Sequence, residues 1–311
     1  MPLTTAMKRI VQILQMIRFS HTLFALPFAL LAAVMAWTAP GGGLHTAGFG
    51  LRQWQELLGI LVCMVAARSA AMAANRMADR HLDADNPRTA GRHLPAEVLS
   101  LRSVAIFAAA SSVGLVAGTL LFLPNRLPLY LSLPVLAFLW GYSYAKRFTA
   151  LAHFWLGAAL MLAPVSTWIA IRGKLVLADP ADLVPAIVLG TGVLLWVAGF
   201  DIIYACLDVD YDRRRGLYSV PARWGPAAAL RIAALCHLGM VVVLMSLPWF
   251  GPQLGLGWIY YCGIVAVAAL LIYEHLLVRP DDLERVNVAF FNVNAVVSIG
   301  LFVVGCWDLL T

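Results

Sequence analysis

Long apolar runs, separated by short polar segments, fill the chain from end to end. Nine of them reach roughly 17–22 residues, the length a helix needs to cross the hydrocarbon core of a bilayer. They fall at about 20–38, 55–74, 103–123, 127–144, 152–171, 184–205, 227–248, 257–278 and 289–308. Only Pro124-Asn125-Arg126 separates the third run from the fourth, which predicts a tight turn. No linker or low-complexity tract divides the chain, so residues 1–311 are expected to form one domain. The pattern predicts an all-α integral membrane protein with nine transmembrane helices in one bundle. The first run is too long for the apolar core of a signal peptide and is expected to be a retained helix.

Composition agrees with this reading. The chain is 62% hydrophobic and only 12% charged, with a mean hydropathy of +0.83, whereas a soluble domain carries about 25% charged residues. In a soluble protein the net charge of +6 would suggest a nucleic-acid partner. Here the basic residues sit between apolar runs and report topology instead. Seventeen of the 22 lie at the N-terminus, in the loops after spans 2, 4, 6 and 8, or just inside span 7. Arg52, Arg126, Arg172 and Lys174 fall on the other side, and Arg68 lies inside span 2. The excess of positive charge places the N-terminus in the cytoplasm and the C-terminus outside, as expected for a bacterial inner-membrane protein. Cys63, Cys206, Cys236, Cys262 and Cys306 lie in or beside apolar runs, show no metal-ligand spacing and read as small buried hydrophobes.

Two segments stand out against this charge-poor background. Residues 75–87 (NRMADRHLDADNP) follow span 2, and residues 201–212 (DIIYACLDVDYD) close span 6. Together they hold seven of the sixteen acids. Asn75, Asp79 and Asp83 are spaced i, i+4, i+8, and Asp208 and Asp212 are spaced i, i+4, so a continuous helix would place each set on one face. Like charges at that spacing repel. A bound divalent cation would make them tolerable. Arg76, Arg80, Arg88, Arg92, Lys146, Arg147, Arg213, Arg214, Arg215 and Arg223 fall in the same cytoplasmic loops. Acids suit a metal and bases suit an anion, so both together suit a metal–diphosphate complex in a cavity facing the cytoplasm. A solvated surface would equally account for Arg88, Arg92 and Arg213–Arg215. Arg68, a charge within a span, is expected to face a functional cavity. His21, His153, His237 and His275 are expected to pack or make polar helix contacts, and His81 and His93 carry no specific signal. Trp54, Trp140, Tyr142 and Trp258 read as interfacial anchors.

Residues 68–95 resemble the first Asp-rich motif (NxxxDxxxD) of the UbiA-type membrane prenyltransferases, and residues 201–225 resemble their second (DxxxD). Residues 142–157 (YSYAKRFTALAHFWLG) resemble the segment after the fourth span in the 4-hydroxybenzoate polyprenyltransferase branch. The chain departs from the pattern at Glu97, where relatives often have glycine, and carries the extra acids Asp85 and Asp210. The resemblance implies that Asn75, Asp79, Asp83, Asp208 and Asp212 hold two Mg²⁺ on a polyprenyl diphosphate. It implies that Lys146 contacts the diphosphate, that Arg68 is an anion partner in the pocket, and that Asp201 sits near the aromatic acceptor. The implied activity is Mg²⁺-dependent transfer of a polyprenyl group to the carbon ortho to the hydroxyl of 4-hydroxybenzoate, in respiratory quinone synthesis. Another acceptor (a dihydroxynaphthoate, haem, homogentisate or a chlorophyllide) is the alternative within the family. A cation-coupled transporter is the alternative outside it. Transporters usually hold coupling ions near the midplane on broken helices, whereas these acids lie at helix ends among basic residues.

Overall fold

The structure is a computed structural model that describes residues 5–17, 24–44, 48–278 and 292–311. His21 lies outside these residues. The described chain forms thirteen α-helices and no strand: α1 (Thr5–Met16), α2 (Leu26–Thr38), α3 (Leu51–Ala78), α4 (Arg80–Asp85), α5 (Leu101–Thr119), α6 (Leu127–Ala145), α7 (Ala152–Ala178), α8 (Val184–Ala205), α9 (Val209–Arg215), α10 (Val220–Trp224), α11 (Pro226–Phe250), α12 (Trp258–Leu277) and α13 (Asn294–Leu310). Each of the nine apolar runs overlaps one of these helices. Seven helical segments are long and apolar enough to cross a membrane, while α2 and α13 are apolar but shorter. Helix α1 precedes the first apolar run, and hydropathy did not single it out.

Helix α8 is the centre of the packing, with α7 on one side and α11 on the other. Its Leu189, Trp196, Ile202 and Ile203 are fully buried. Between apolar helices, where no water is displaced, association depends on close van der Waals contact, and small residues permit it. A Cβ on Gly157 of α7 would lie 2.4 Å from the Leu194 carbonyl oxygen, and one on Gly199 of α8 would lie 2.3 Å from the His237 ring. Both crossings therefore require glycine.

Polar side chains tie the other helices to this centre. The Trp196 indole donates to Asn294 Oδ1 at 2.6 Å, and the Asn294 amide donates to Glu274 Oε1 at 3.0 Å. His237 Nδ1 lies 3.0 Å from His275 Nε2. An unmade hydrogen bond is costly in such surroundings, so these contacts fix α8, α11, α12 and α13 in register. His237 and His275 thus make the polar helix contacts expected of them. At the end of the bundle where α3 begins, Arg52 pairs with Glu56 at 2.9 Å. Arg172 interrupts the helical geometry of α7 (φ −109°, ψ 16°), and its Nε donates to Asp182 Oδ2 at 2.9 Å.

Glu97 is the non-glycine residue with positive φ (56°) among the described residues. It occupies the turn before α5, where Leu99 N–H closes back on the His93 carbonyl at 3.0 Å. A side chain in the left-handed region crowds its own carbonyl, which explains why glycine suits this position in the resembled family. Glu97→Gly is expected to stabilise the protein by about 1 kcal/mol. A thermal-unfolding midpoint in detergent that fails to rise would refute that account.

Candidate active site

Both acidic segments are built around a break in a helix, and an aspartate sits at each break. Helix α3 ends at Ala78, and Asp79 (φ −93°, ψ 5°) joins it to α4. Helix α8 passes through the 3-10 turn Cys206–Asp208, and Asp208 (φ −109°, ψ 6°) joins it to α9. Both lie in the sparsely populated bridge region of backbone space, where functional residues are often found. The expectation that each acid set lies on one continuous helical face is corrected by these breaks. Asn75 and Asp79 do stay together, the Asn75 amide donating to Asp79 Oδ2 at 3.1 Å. Asp83 turns away: it is 4% exposed and pairs with Arg92 at 2.7 Å.

Basic side chains compensate most of the acids. Asp79 takes Lys146 Nζ at 3.0 Å and Arg147 at 3.4 Å. Asp208 takes both the Nε of Arg88, at 2.8 Å, and its Nη2, while the Asn86 amide donates to the same carboxylate at 3.1 Å. Burial opposes the charge on Arg88, but its bonds to Asp208 and to the Tyr204 oxygen outweigh that and hold the guanidinium above its ordinary pKa. Asp85 pairs with Arg215, and Asp210 is exposed. The two segments also bind each other directly, through the Tyr211 hydroxyl and the Leu82 carbonyl at 2.6 Å. Arg88 and Arg92 thus each pair with an acid of the two segments, although Arg88 is exposed, as are Arg213, Arg214 and Arg215.

Two cavities meet here. A polar one, of about 150 Å³, is lined by Asn75, Asp79, Lys146, Asp201, Asp208 and Asp212, together with Tyr142, His153, Tyr204 and Ser219. Asp83 is not among its lining residues. An apolar one, of about 210 Å³, runs between α3, α5, α6 and α7, and Arg68 is the one charged residue lining it. Asn75 and Tyr142 line both. Tyr142 is thus placed at the junction of the two cavities, which corrects its reading as an interfacial anchor. Trp54 and Trp258 are exposed, in keeping with that role. His153, expected to pack or make a polar helix contact, makes one to Asp201 at 2.7 Å and lines the polar cavity. Nothing in its sequence spacing marked it, because its partner lies 48 residues away.

The sequence pattern of the UbiA prenyltransferase family matches residues 25–296. The chain belongs to the UbiA prenyltransferase family. It is 31% identical over 262 residues to a 4-hydroxybenzoate octaprenyltransferase of Alcanivorax borkumensis, covering 82% of this chain and 85% of that protein. It is 35% identical over 230 residues to the enzyme of the same name from Marinobacter nauticus, covering 73% of each. Among solved structures it is similar to an apo UbiA homolog from Aeropyrum pernix K1, with a TM-score of 0.79 and 32% identity, over 94% of this chain and 98% of that one. A UbiA homolog from Archaeoglobus fulgidus bound to DMAPP and Mg²⁺ shares the fold, with a TM-score of 0.62 and 17% identity, over 94% of this chain and 98% of that one.

The carboxylates of Asp79, Asp201, Asp208 and Asp212 and the amide of Asn75 offer oxygen donors to the polar cavity of this UbiA-family chain, while both ring nitrogens of His153, which also lines it, are already engaged. Among the described residues no three His, Cys, Asp or Glu side chains converge closely enough to cage an ion by themselves. That combination fits Mg²⁺, a hard cation usually held by one or two carboxylates and completed by substrate phosphates. It fits a closed structural site of nitrogen and sulfur ligands poorly.

Asp83 gives a test independent of turnover. Arg76 also approaches it, at 3.9 Å, so removing its carboxylate takes the close ion-pair partner from Arg92 and a neighbouring negative charge from Arg76. Asp83→Ala, measured without divalent cations, is expected to cost about 2–3 kcal/mol, below the value for a fully buried pair because Arg92 is a quarter exposed. The double variant with Arg92→Ala should recover part of the loss. An unchanged unfolding midpoint in Asp83→Ala would show that the pair contributes nothing.

Proposed function

We propose that the protein transfers a polyprenyl group from its diphosphate to the ring carbon ortho to the hydroxyl of 4-hydroxybenzoate, releasing diphosphate. The observation that carries this reading is the meeting of a carboxylate-lined cavity with an apolar one at Asn75 and Tyr142. Such a pair of cavities suits a molecule with an anionic head and a long hydrocarbon tail. The choice of acceptor rests on the relatives named 4-hydroxybenzoate octaprenyltransferase.

In this reading Asp79, Asn75, Asp208 and Asp212 would hold Mg²⁺, with Asp83 behind them. Bound Mg²⁺ would neutralise charge on the leaving oxygens. Lys146, paired with Asp79 at 3.0 Å, would bind the diphosphate. Arg68 attracts an anion to the apolar cavity, either the diphosphate or the acceptor carboxylate. The C–O bond of the allylic diphosphate breaks, its electron pair leaving with the diphosphate. The apolar walls keep water from the allylic cation. The ring carbon ortho to the phenol then forms the new C–C bond and gives its proton to the released diphosphate, which restores aromaticity. Asp201, across the polar cavity, orients the acceptor.

The fold is read as a single domain with nine spans in a bacterial inner membrane, the N-terminus and both acidic segments in the cytoplasm. A cation-coupled transporter is disfavoured because the carboxylates sit among lysine and arginine side chains, Lys146 and Arg147 on Asp79 and Arg88 on Asp208, which suits phosphate better than Na⁺ or H⁺.

The deciding assay uses purified protein in detergent, with 4-hydroxybenzoate, a long-chain prenyl diphosphate, and Mg²⁺ or chelator. Ring-prenylated acid should form only with the metal. Asp79→Ala and Asp208→Ala should each lower turnover by at least about a hundredfold, the scale of losing one preorganised electrostatic contact. Product from a different phenol alone would change the acceptor, and folded variants with full activity would remove the metal assignment. For topology, Arg214→Cys in a cysteine-free background should react with an impermeant thiol reagent only when the cytoplasmic face is opened. Labelling in intact cells would reverse the orientation.

A further inference from the structure

His153 stands at the start of α7, is 5% exposed and lines the polar cavity. Both its ring nitrogens are engaged. The backbone N–H of Val220, the first residue of α10, donates to Nε2 at 3.3 Å. A nitrogen that accepts a hydrogen bond carries a lone pair and no proton. Nε2 is therefore bare, the ring is neutral, and the proton sits on Nδ1. That N–H donates to Asp201 Oδ2 at 2.7 Å. The chain of bonds thus runs from α10 through α7 to α8, and each step fixes the next. Asp201 Oδ2 is committed to the imidazole, and among the described residues Oδ1 accepts no side-chain hydrogen bond.

We infer that His153 is a positioning residue, which locks the Asp201 carboxylate so that Oδ1 is offered to the hydroxyl hydrogen of a phenolic acceptor. This rests on the prenyl-transfer reading above. The physical reason is that a carboxylate on a helix rotates about its side-chain bonds, and an acceptor aligned by a wandering carboxylate presents its ortho carbon inconsistently to the allylic carbon. Alignment within a fraction of an ångström governs the rate of such a bond formation. The imidazole does not take the substrate proton, because its bare nitrogen is already occupied by the Val220 amide. The bond from His153 is the side-chain contact that holds Asp201 at this cavity. The orienting role therefore falls to His153.

Two variants and one spectrum test this. His153→Leu removes the donor, whereas His153→Asn restores an N–H at the position of Nδ1. In His153→Leu, kcat/KM for the phenolic acid should fall roughly tenfold to a hundredfold, the scale seen when an orienting hydrogen-bond partner is lost. The KM for the prenyl diphosphate should stay put. His153→Asn should recover most of the loss. In the unliganded parent protein, imidazole ¹⁵N NMR should show His153 as the neutral tautomer with its proton on Nδ1, identified by the signal that disappears in His153→Asn.

A proton on Nε2, full activity in His153→Leu, or equal loss toward both substrates would each overturn the inference. If His153→Leu does not fold, the spectrum and the degree of recovery in His153→Asn still decide. A parent protein inactive toward every phenolic acid in a panel would overturn the prenyl-transfer reading. An active parent with an unaffected His153→Leu would overturn the role of His153 alone.

Discussion

Four carboxylates, those of Asp79, Asp201, Asp208 and Asp212, share the wall of one small cavity at the end of an apolar bundle. In surroundings of low dielectric their mutual repulsion has to be compensated. The structure compensates it with long side chains drawn from other segments: Lys146 and Arg147 on Asp79, and Arg88 on Asp208. Such side chains can hold a carboxylate and can also release it to a metal while keeping an anion nearby. Much of the loop architecture follows from this requirement. The first acidic segment reaches the second through Asn86 and Arg88, and the loop after α6 reaches the segment before α10 through the Lys146 carbonyl and the Tyr218 amide at 2.7 Å.

The interior of the bundle serves the site by fixing α8. This helix carries Trp196 in the core and Asp201 at the cavity, little more than a turn apart. The close glycine-mediated crossings with α7 and α11 leave α8 little freedom to rotate. Its polar ties to α13 and, through Asn294, to α12 set its height in the bundle. Rigid placement of α8 matters because Asp201 and Asp208 must face residues of α3 across the cavity, and a shift of an ångström would separate them.

Much of this was legible in the chain. The apolar runs located the helices closely, α8 at 184–205 and α6 within one residue of 127–144, because a bilayer imposes length and hydropathy together. The two acidic segments were conspicuous because carboxylates are rare in a chain with 12% charge. Glu97 was singled out only as a departure from the resembled motif, and its positive φ supplies the reason. The helical-face argument failed in part because spacing presupposes a continuous helix, and both segments break at an aspartate. Tyr142 was misread because aromatic side chains near span ends usually do anchor, and the polar contact expected of His153 proved to lie at the cavity. What distinguishes them is their neighbours, not their own sequence context.

The sequence alone determined the class of fold, the number and rough limits of the apolar runs, and the residue types available for chemistry, since hydropathy and charge are properties of local composition. Only the tertiary structure decided which acids share a cavity, that Asp83 turns from it toward Arg92, that Arg88 crosses 120 residues of chain to Asp208, and that His153 orients Asp201. Each of those outcomes depends on distances between segments far apart in the chain, and packing, not local propensity, sets such distances.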